Sequence, residues 1–590
     1  ITSRQDGLFI VDARAPANPK LLVHYDTIEF ATGIVLAGDV LFVACRNFGV
    51  EAIDVSDPAN PSHLGIARTG EAQSVAYRDR LLYAGVWATS EIVVVDVTNP
   101  REMKILDRVE LDGFGDGVTL AGDYLYAATG HHSRERPRND PGDPGYGRGH
   151  GLEIFSLGDP TRPKLVGGVK FPPFYDRGRD LWSVSIAGDT AFVADTHNGV
   201  FAIDVRNPGK PTILARHQLP VPDGGEFHGY VGGLALAENI VYVAGGETGL
   251  HLLAAPGRAR PEKLELGEPP LVAAKGATAK SDPRWRVYRP EAQVHAVDFL
   301  EDGRAVVACG QAGVHLLELW PEIRLLSVFE TAGFATDVAV DGPHIYIAQG
   351  TGGLTVCRLA GEDSATLERI GGFALADRAL RQVEIPLPGR FATATAGANS
   401  FLIIDIEDPA NPEVLVNESH PGLLYGDQLM RGLVEDRYAA VFWHVSGLHW
   451  YDLLPEDGGI PRHSGDNHPE RFGSVNGLLA YKERVLVPTR GKIFLIDRAE
   501  RRPFAEMEIP YIENLREHLG VPNMAGNLLY IANRRSAVVT VIEYENPQQP
   551  RFVEQIETRG NPGRVGFFNE IPVIADGRGG LLVLDDRVTR

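Results

Sequence analysis

Histidines and carboxylates gather in the first half of the chain. Residues 128 to 151 read ATGHHSRERPRNDPGDPGYGRGHG and carry His131, His132 and His150. Farther on, ADTHNG supplies Asp195 and His197, and GGEFHGYVGG supplies Glu226, His228 and Tyr230. The segment FYDRGRDLW adds Arg177. Imidazole and carboxylate are suitable ligands for a divalent metal. His131, His132, His150, Asp195 and Glu226 are therefore candidate ligands, with zinc or calcium as the expected ion. The same residue types also serve proton transfer, because imidazole titrates near neutral pH. In that reading His197, His228 or Tyr230 removes a proton next to a carboxylate, and Arg177 stabilises the developing negative charge. No fixed-spacing signature such as HExxH accompanies these residues. The competing use of loop histidines is plain hydrogen bonding to backbone.

The second half offers arginine instead. Arg431, Arg490, Arg534 and Arg564 recur at comparable places. On an acidic protein, a ring of guanidinium groups suits a carboxylate, sulfate or phosphate held bidentately. Pairing with neighbouring acids is the alternative.

These residues act together only if distant stretches reach one place, and a repeat supplies the means. The phrase is a small residue, an apolar run and an Asp, followed by a Pro-rich turn. Clear copies are GLFIVD, GVEAID, EIVVVD, GVFAID and FLIIDIEDPANP; weaker ones are GLEIFS, GLHLLA, GVHLLE, GLTVCR, GLHWYD, KIFLID, VVTVIE and GLLVLD. Their spacing, roughly 40 to 50 residues, is that of a four-stranded propeller blade. Residues 31 to 68 show one unit in full: TGIVLAG, VLFVAC, GVEAIDV and HLGIAR read as four strands. Gly38-Asp39 is a tight hairpin signal between the first two. Pro58 cannot donate to a sheet, so it ends the third strand, and Asp57 and Asn60 suit Asx turns. The Asp that ends each phrase is read as a turn residue rather than one of a row of metal ligands. ITSRQDGL aligns with VACRNFGV, so the chain is expected to begin inside a repeat.

The copies VSDPANP, IEDPANP, VTNPREM and VRNPGKP resemble those of the LVIVD-repeat family of β-propeller proteins. The resemblance covers nearly the whole chain and implies an all-β fold; it is specific for fold and weak for activity. Ordinary propellers have about four to eight blades, fewer than these phrases require. The expectation is two tandem β-propellers of six or seven four-stranded blades each, over residues 1–331 and 332–590. Residues 254 to 290 are irregular and are expected to form a long loop of one blade. Ring closure is expected to pair the first and last strands of the chain. The loops that join second to third strands would then surround a central channel and carry the site.

A net charge of −21 argues against nucleic acid or an anionic membrane as the main partner. No apolar run reaches the ~18 residues of a membrane span. Cys45, Cys309 and Cys357 lie in apolar strands and read as buried free thiols. No P-loop, Rossmann fingerprint or GxSxG elbow is present. Regular repeats without a catalytic signature favour a binding or scaffold protein for a glycan or a surface protein. The alternative is a lyase or hydrolase acting on an acidic polysaccharide. The family resemblance, long polar loops and acidic surface suggest an extracellular or periplasmic setting. Oligomeric state is left open.

Overall fold

A strand such as VLFVAC has no polar face. Side chains alternate between the two sides of a sheet, so a strand apolar on both sides needs cover on both. In the computed structural model, Val40–Cys45 is buried along its whole length. The structure describes residues 1–3, 7–46, 48–133, 149–171, 183–222, 225, 228–237, 240–254, 284–360, 365–375, 378–397, 399–420, 429–431, 437–443, 447–467, 477–489, 492–497, 500–501, 503–508, 520–545 and 550–584. Among them are thirteen sheets, most of four antiparallel strands, and each holds one copy of the repeated phrase. No described helix is long and apolar enough to cross a membrane.

The unit over residues 31 to 68 folds as its sequence predicts. Its strands are Ala31–Ala37, Val40–Cys45, Gly49–Asp54 and Ser62–Ala67, paired in that order. Gly38, Gly122 and Gly188 turn the first hairpins with φ of 60°, 51° and 55°. The small residue that opens the phrase is also explained. Gly49 has φ +129°, and a Cβ there would sit 2.0 Å from the Ala67 carbonyl oxygen. The recurring Asp is a turn residue: Asp54, Asp96 and Asp405 each accept the N–H two residues on, at 2.9, 2.8 and 2.9 Å. All three cysteines are free and buried. Burial pushes the Cys357 thiol up to about 12, out of reach of thiolate chemistry at neutral pH.

The chain divides into two compact units, Ile1–Ala277 and Thr278–Arg590. In the first, six sheets are joined in succession by five apolar cores, each built from two neighbouring sheets. In the second, seven sheets are joined by seven such cores, and the last core returns to the first sheet. Val297 and Val307 of the first sheet meet Val573 and Val583 of the last. This unit is a closed seven-bladed propeller.

Its closure corrects three expectations. Trp285–Tyr288, placed by sequence within a long loop, is the outer strand of the final sheet and pairs with Leu581–Leu584. The last strand of the chain thus closes on residue 285 onward, not on the first strand. The unit boundary accordingly falls at 277/278 instead of 331/332, because the sheet of Ala296–Phe299 to Arg324–Phe329 is the closing neighbour of the final sheet. One sheet is also irregular. Tyr438–Trp443, Gly447–Asp452 and Arg462–Asn467 form three strands, while Met430–Arg431 pairs in parallel with the next sheet.

Polar side chains enter these sheets at one recurring position, the third residue of the third strand. Glu51 accepts Tyr25 Oη at 3.1 Å and the Ile28 N–H at 2.9 Å. Glu153 accepts the Asp112 N–H at 3.0 Å. Each carboxylate fastens the chain as it crosses from the preceding sheet. Burial pushes Glu153 up to about 7. A carboxyl raised on folding contributes stability that is present below its ordinary range and lost as pH rises through about 7. Glu153→Gln keeps an acceptor and cannot ionise. The variant should match the parent near pH 4 and exceed it near pH 8 by up to about 3 kcal/mol, measured by urea denaturation at both pH values.

Candidate functional site

The loop ends of the first unit hold the predicted histidines. His150 precedes the strand Gly151–Ser156, and Asp195 ends Thr190–Asp195 in the next sheet. Their side chains meet: His150 Nε2 lies 3.1 Å from Asp195 Oδ1, with 1% and 0% of the two side chains exposed. The other ring nitrogen, Nδ1, donates to the Phe171 carbonyl at 3.2 Å. Asn198 Nδ2 donates to Asp195 Oδ2 at 3.0 Å. Burial pushes the Asp195 carboxyl up, against the pull of His150 and Asn198. Both nitrogens of His150 therefore face oxygen acceptors of the protein itself, and the pair ties one sheet to the next.

The turn that follows Asp195 continues into a second grouping. Thr196 has φ 36°, in the left-handed region unusual for a branched residue. Its carbonyl accepts the Val231 N–H at 3.0 Å, which draws in the next sheet. His197 Nδ1 donates to the His228 carbonyl at 2.6 Å, and the His197 and Tyr230 rings pack edge to face at 5.4 Å. His228 Nδ1 donates to the Leu219 carbonyl at 2.7 Å. A ring whose Nδ1 donates to a carbonyl carries its proton on Nδ1 when neutral, leaving the lone pair on Nε2. So the structure brings His150, Asp195, His197, His228 and Tyr230 to one end of adjacent sheets. Arg177 and Glu226 lie outside the described residues, as do the side chains of His131 and His132, whose backbone completes the strand Tyr124–Ser133.

The same end of the first unit carries a grouping that the sequence reading missed. Arg46 and Trp87 each follow the second strand of their sheet, and Phe114 opens the next sheet. The Trp87 and Phe114 rings stack at 4.1 Å with a 41° tilt, and the Arg46 guanidinium lies 5.9 Å from the Trp87 ring centre. Glu71 holds Arg46 Nε at 2.9 Å. Both aromatic rings are half-buried. The signal was available: VACR and AGVW place Arg46 and Trp87 at matching positions of successive repeats.

In the second unit the arginines part ways. Arg564 opens the innermost strand Arg564–Phe568, and its guanidinium is 1% exposed. It binds Asp337 at 2.7 Å and Glu384 at 2.8 Å, each from the innermost strand of a different sheet. The charge is neutralised inside the protein, which gives Arg564 the role of a central tie. Arg534 follows the strand Leu528–Asn533 and lies against Gly563, where a Cβ would come within 3.2 Å of Nη2. Arg490 and the side chain of Arg431 lie outside the described residues. Removing one partner of a buried ion pair strands the other, at about 3–5 kcal/mol. Arg564→Ala should destabilise the protein by that amount in urea denaturation, and added phosphate or sulfate should not restore the loss.

Another cluster stands away from the loops. His449 lies on Gly447–Asp452 and His463 and Asp466 on the neighbouring strand Arg462–Asn467 of the irregular sheet, and their ligand atoms all fall within 4.8 Å of one another. A reading confined to loops passes over it, because its residues sit within strands. GLHWYD nevertheless shows His449 at the position that Glu51 occupies in GVEAID.

The LVIVD repeat matches the chain over residues 1–27, 30–69, 178–217, 332–357 and 385–418. A comparison with curated proteins finds no match. Among solved structures, U3-55K is 11% identical over 51% of this chain and 98% of that chain, with a TM-score of 0.40. BamB from Moraxella catarrhalis is 13% identical over 62% and 92%, with a TM-score of 0.36. The RRP9 WD40 repeats are 12% identical over 52% and 98%, with a TM-score of 0.40. The repeat matches fall in both units, and the chain carries LVIVD repeats within a β-propeller fold.

Proposed function

We propose that this chain is a binding and scaffold protein that engages a glycan or a surface protein, outside the cytoplasm, through the loop end of its first unit. One observation carries the reading: the half-buried platform of Trp87 and Phe114 with Arg46 held over it by Glu71. Aromatic and Arg side chains dominate binding surfaces because they offer large contact area with a polar edge. A platform already fixed by stacking and an ion pair loses little entropy when a ligand docks. The extracytoplasmic setting is supported by the acidic composition and long polar loops.

A second reading follows from His197. Its Nδ1 is anchored to a carbonyl and its ring packs on Tyr230, which is how a general base is oriented. In this reading the chain is a lyase or hydrolase on an acidic polysaccharide, with His197, His228, Tyr230 and Arg177 in the catalytic roles assigned above. One set of measurements separates the two. Immobilised uronate polymers and neutral glycans are probed with the full chain. Saturable binding that weakens about tenfold or more in Trp87→Ala, with no unsaturated product by ultraviolet absorbance, is expected for the binding protein. Ultraviolet-absorbing product that disappears in His197→Ala would replace that reading with the enzyme.

A further inference from the structure

The donors of His449, His463 and Asp466 converge in a way that hydrogen bonding alone does not require. His449 Nδ1 lies 2.8 Å from Asp466 Oδ1, and His463 Nε2 lies 2.6 Å from the same oxygen. Two imidazoles from different strands thus approach one carboxylate oxygen. Strand geometry explains how. His463 and Asp466 are three residues apart and would face opposite sides of a regular strand. A bulge shifts the register between Trp450 and Tyr451, so that Tyr451 pairs with His463 and His449 with Asp466. The side chains of His463 and Asp466 then share the face of His449.

Comparison with the second sheet shows what is unusual. There the matching positions hold Glu51 and His63, 2.8 Å apart, and Ile66 stands opposite Glu51. That arrangement is one acceptor served by donors. The later sheet has an imidazole in place of Glu51 and a carboxylate in place of Ile66. It adds a third imidazole: the His420 ring lies 4.3 Å from that of His449, and His420 Nε2 lies 3.6 Å from Glu418 Oε2. Tyr451 donates to that same Glu418 oxygen at 2.7 Å. The Trp443 ring walls the cluster at 4.9 Å from His449.

We propose that His449, His463 and Asp466 bind one divalent transition metal, with zinc the ion whose preferences they match best. Two neutral imidazoles and one carboxylate are a zinc donor set that leaves a coordination position open. Glu418, which accepts from Tyr451 and faces His420, adds negative charge beside the ligand set. His449 is buried, whereas 36% of His463 and 37% of Asp466 are exposed, which gives the ion a path in from solvent. Zinc with ligands at about 2.0–2.2 Å holds its donors roughly 3.3 Å apart. The exposed side chains of His463 and Asp466 have the freedom to make that adjustment. The site lies in the second unit and is independent of the partner reading for the first.

The test uses the full chain without an affinity tag, stripped with chelator and titrated with zinc by calorimetry. Cobalt serves as a spectroscopic stand-in. One zinc per chain is expected, together with the visible absorption of four- or five-coordinate cobalt. Asp466→Asn and His463→Gln alter partly exposed side chains, and thermal unfolding confirms that they fold. Each should weaken zinc binding at least about tenfold and abolish the cobalt bands. His344→Gln, elsewhere in the same unit, should change neither. A folded parent that takes up no zinc would overturn the proposal, as would two folded variants that bind like the parent.

Discussion

Among the described residues, no sheet has a core of its own. Strands such as Val40–Cys45 are buried on both faces, and every apolar core joins two sheets, as where Val43 packs with Leu8. A blade therefore depends on its neighbours for burial, and closing a series into a ring needs a contact that sequence order does not provide. In the second unit the solution is circular. Trp285–Tyr288 completes the sheet of Leu581–Leu584, and that sheet packs on the one beginning at Ala296. Stability in such an array resides in interfaces between repeats, so the closing interface completes the set for that unit.

Polar groups buried at these interfaces follow the same logic. A buried carboxylate is costly unless its oxygens are satisfied. Glu51, Glu153 and Asp337 meet this demand with backbone N–H groups or charged partners from adjacent sheets. Asp337 receives the Val383 N–H and the Arg564 guanidinium, so three innermost strands depend on one carboxylate. Buried polar residues thus serve first as ties between blades. His150 with Asp195 is a further tie of this kind. Other groupings gather Arg46, Trp87 and Phe114 at the loop end, where Glu71 of the next blade holds Arg46, and His449, His463 and Asp466 within a sheet whose neighbouring strand Met430–Arg431 pairs elsewhere.

The candidate site was partly legible in the chain. Reading loops led to His150, Asp195, His197, His228 and Tyr230, which do share one end of the sheets. The arginine pattern did not reveal its own partners. Arg564 looks like an exposed loop cation until Asp337 and Glu384, separated from it by 227 and 180 residues, arrive beside it. The His449 cluster was missed for another reason. His463 and Asp466 read as residues of opposite faces, and only a bulge puts them on one.

What the amino-acid order determined alone is local. Apolar runs, Gly-Asp hairpins and Asp-Pro turns each act within a few residues, so strand limits such as Val40–Cys45 and Gly49–Asp54 are legible without neighbours. The tertiary structure decided everything that depends on which strands meet across hundreds of positions. It set the join of Trp285–Tyr288 to Leu581–Leu584, and with it the boundary between units. It likewise settled that the Arg564 charge is spent on Asp337 and Glu384. The physical reason is range: turn chemistry is complete within the turn, whereas burial and charge pairing take their value from whatever the fold brings alongside.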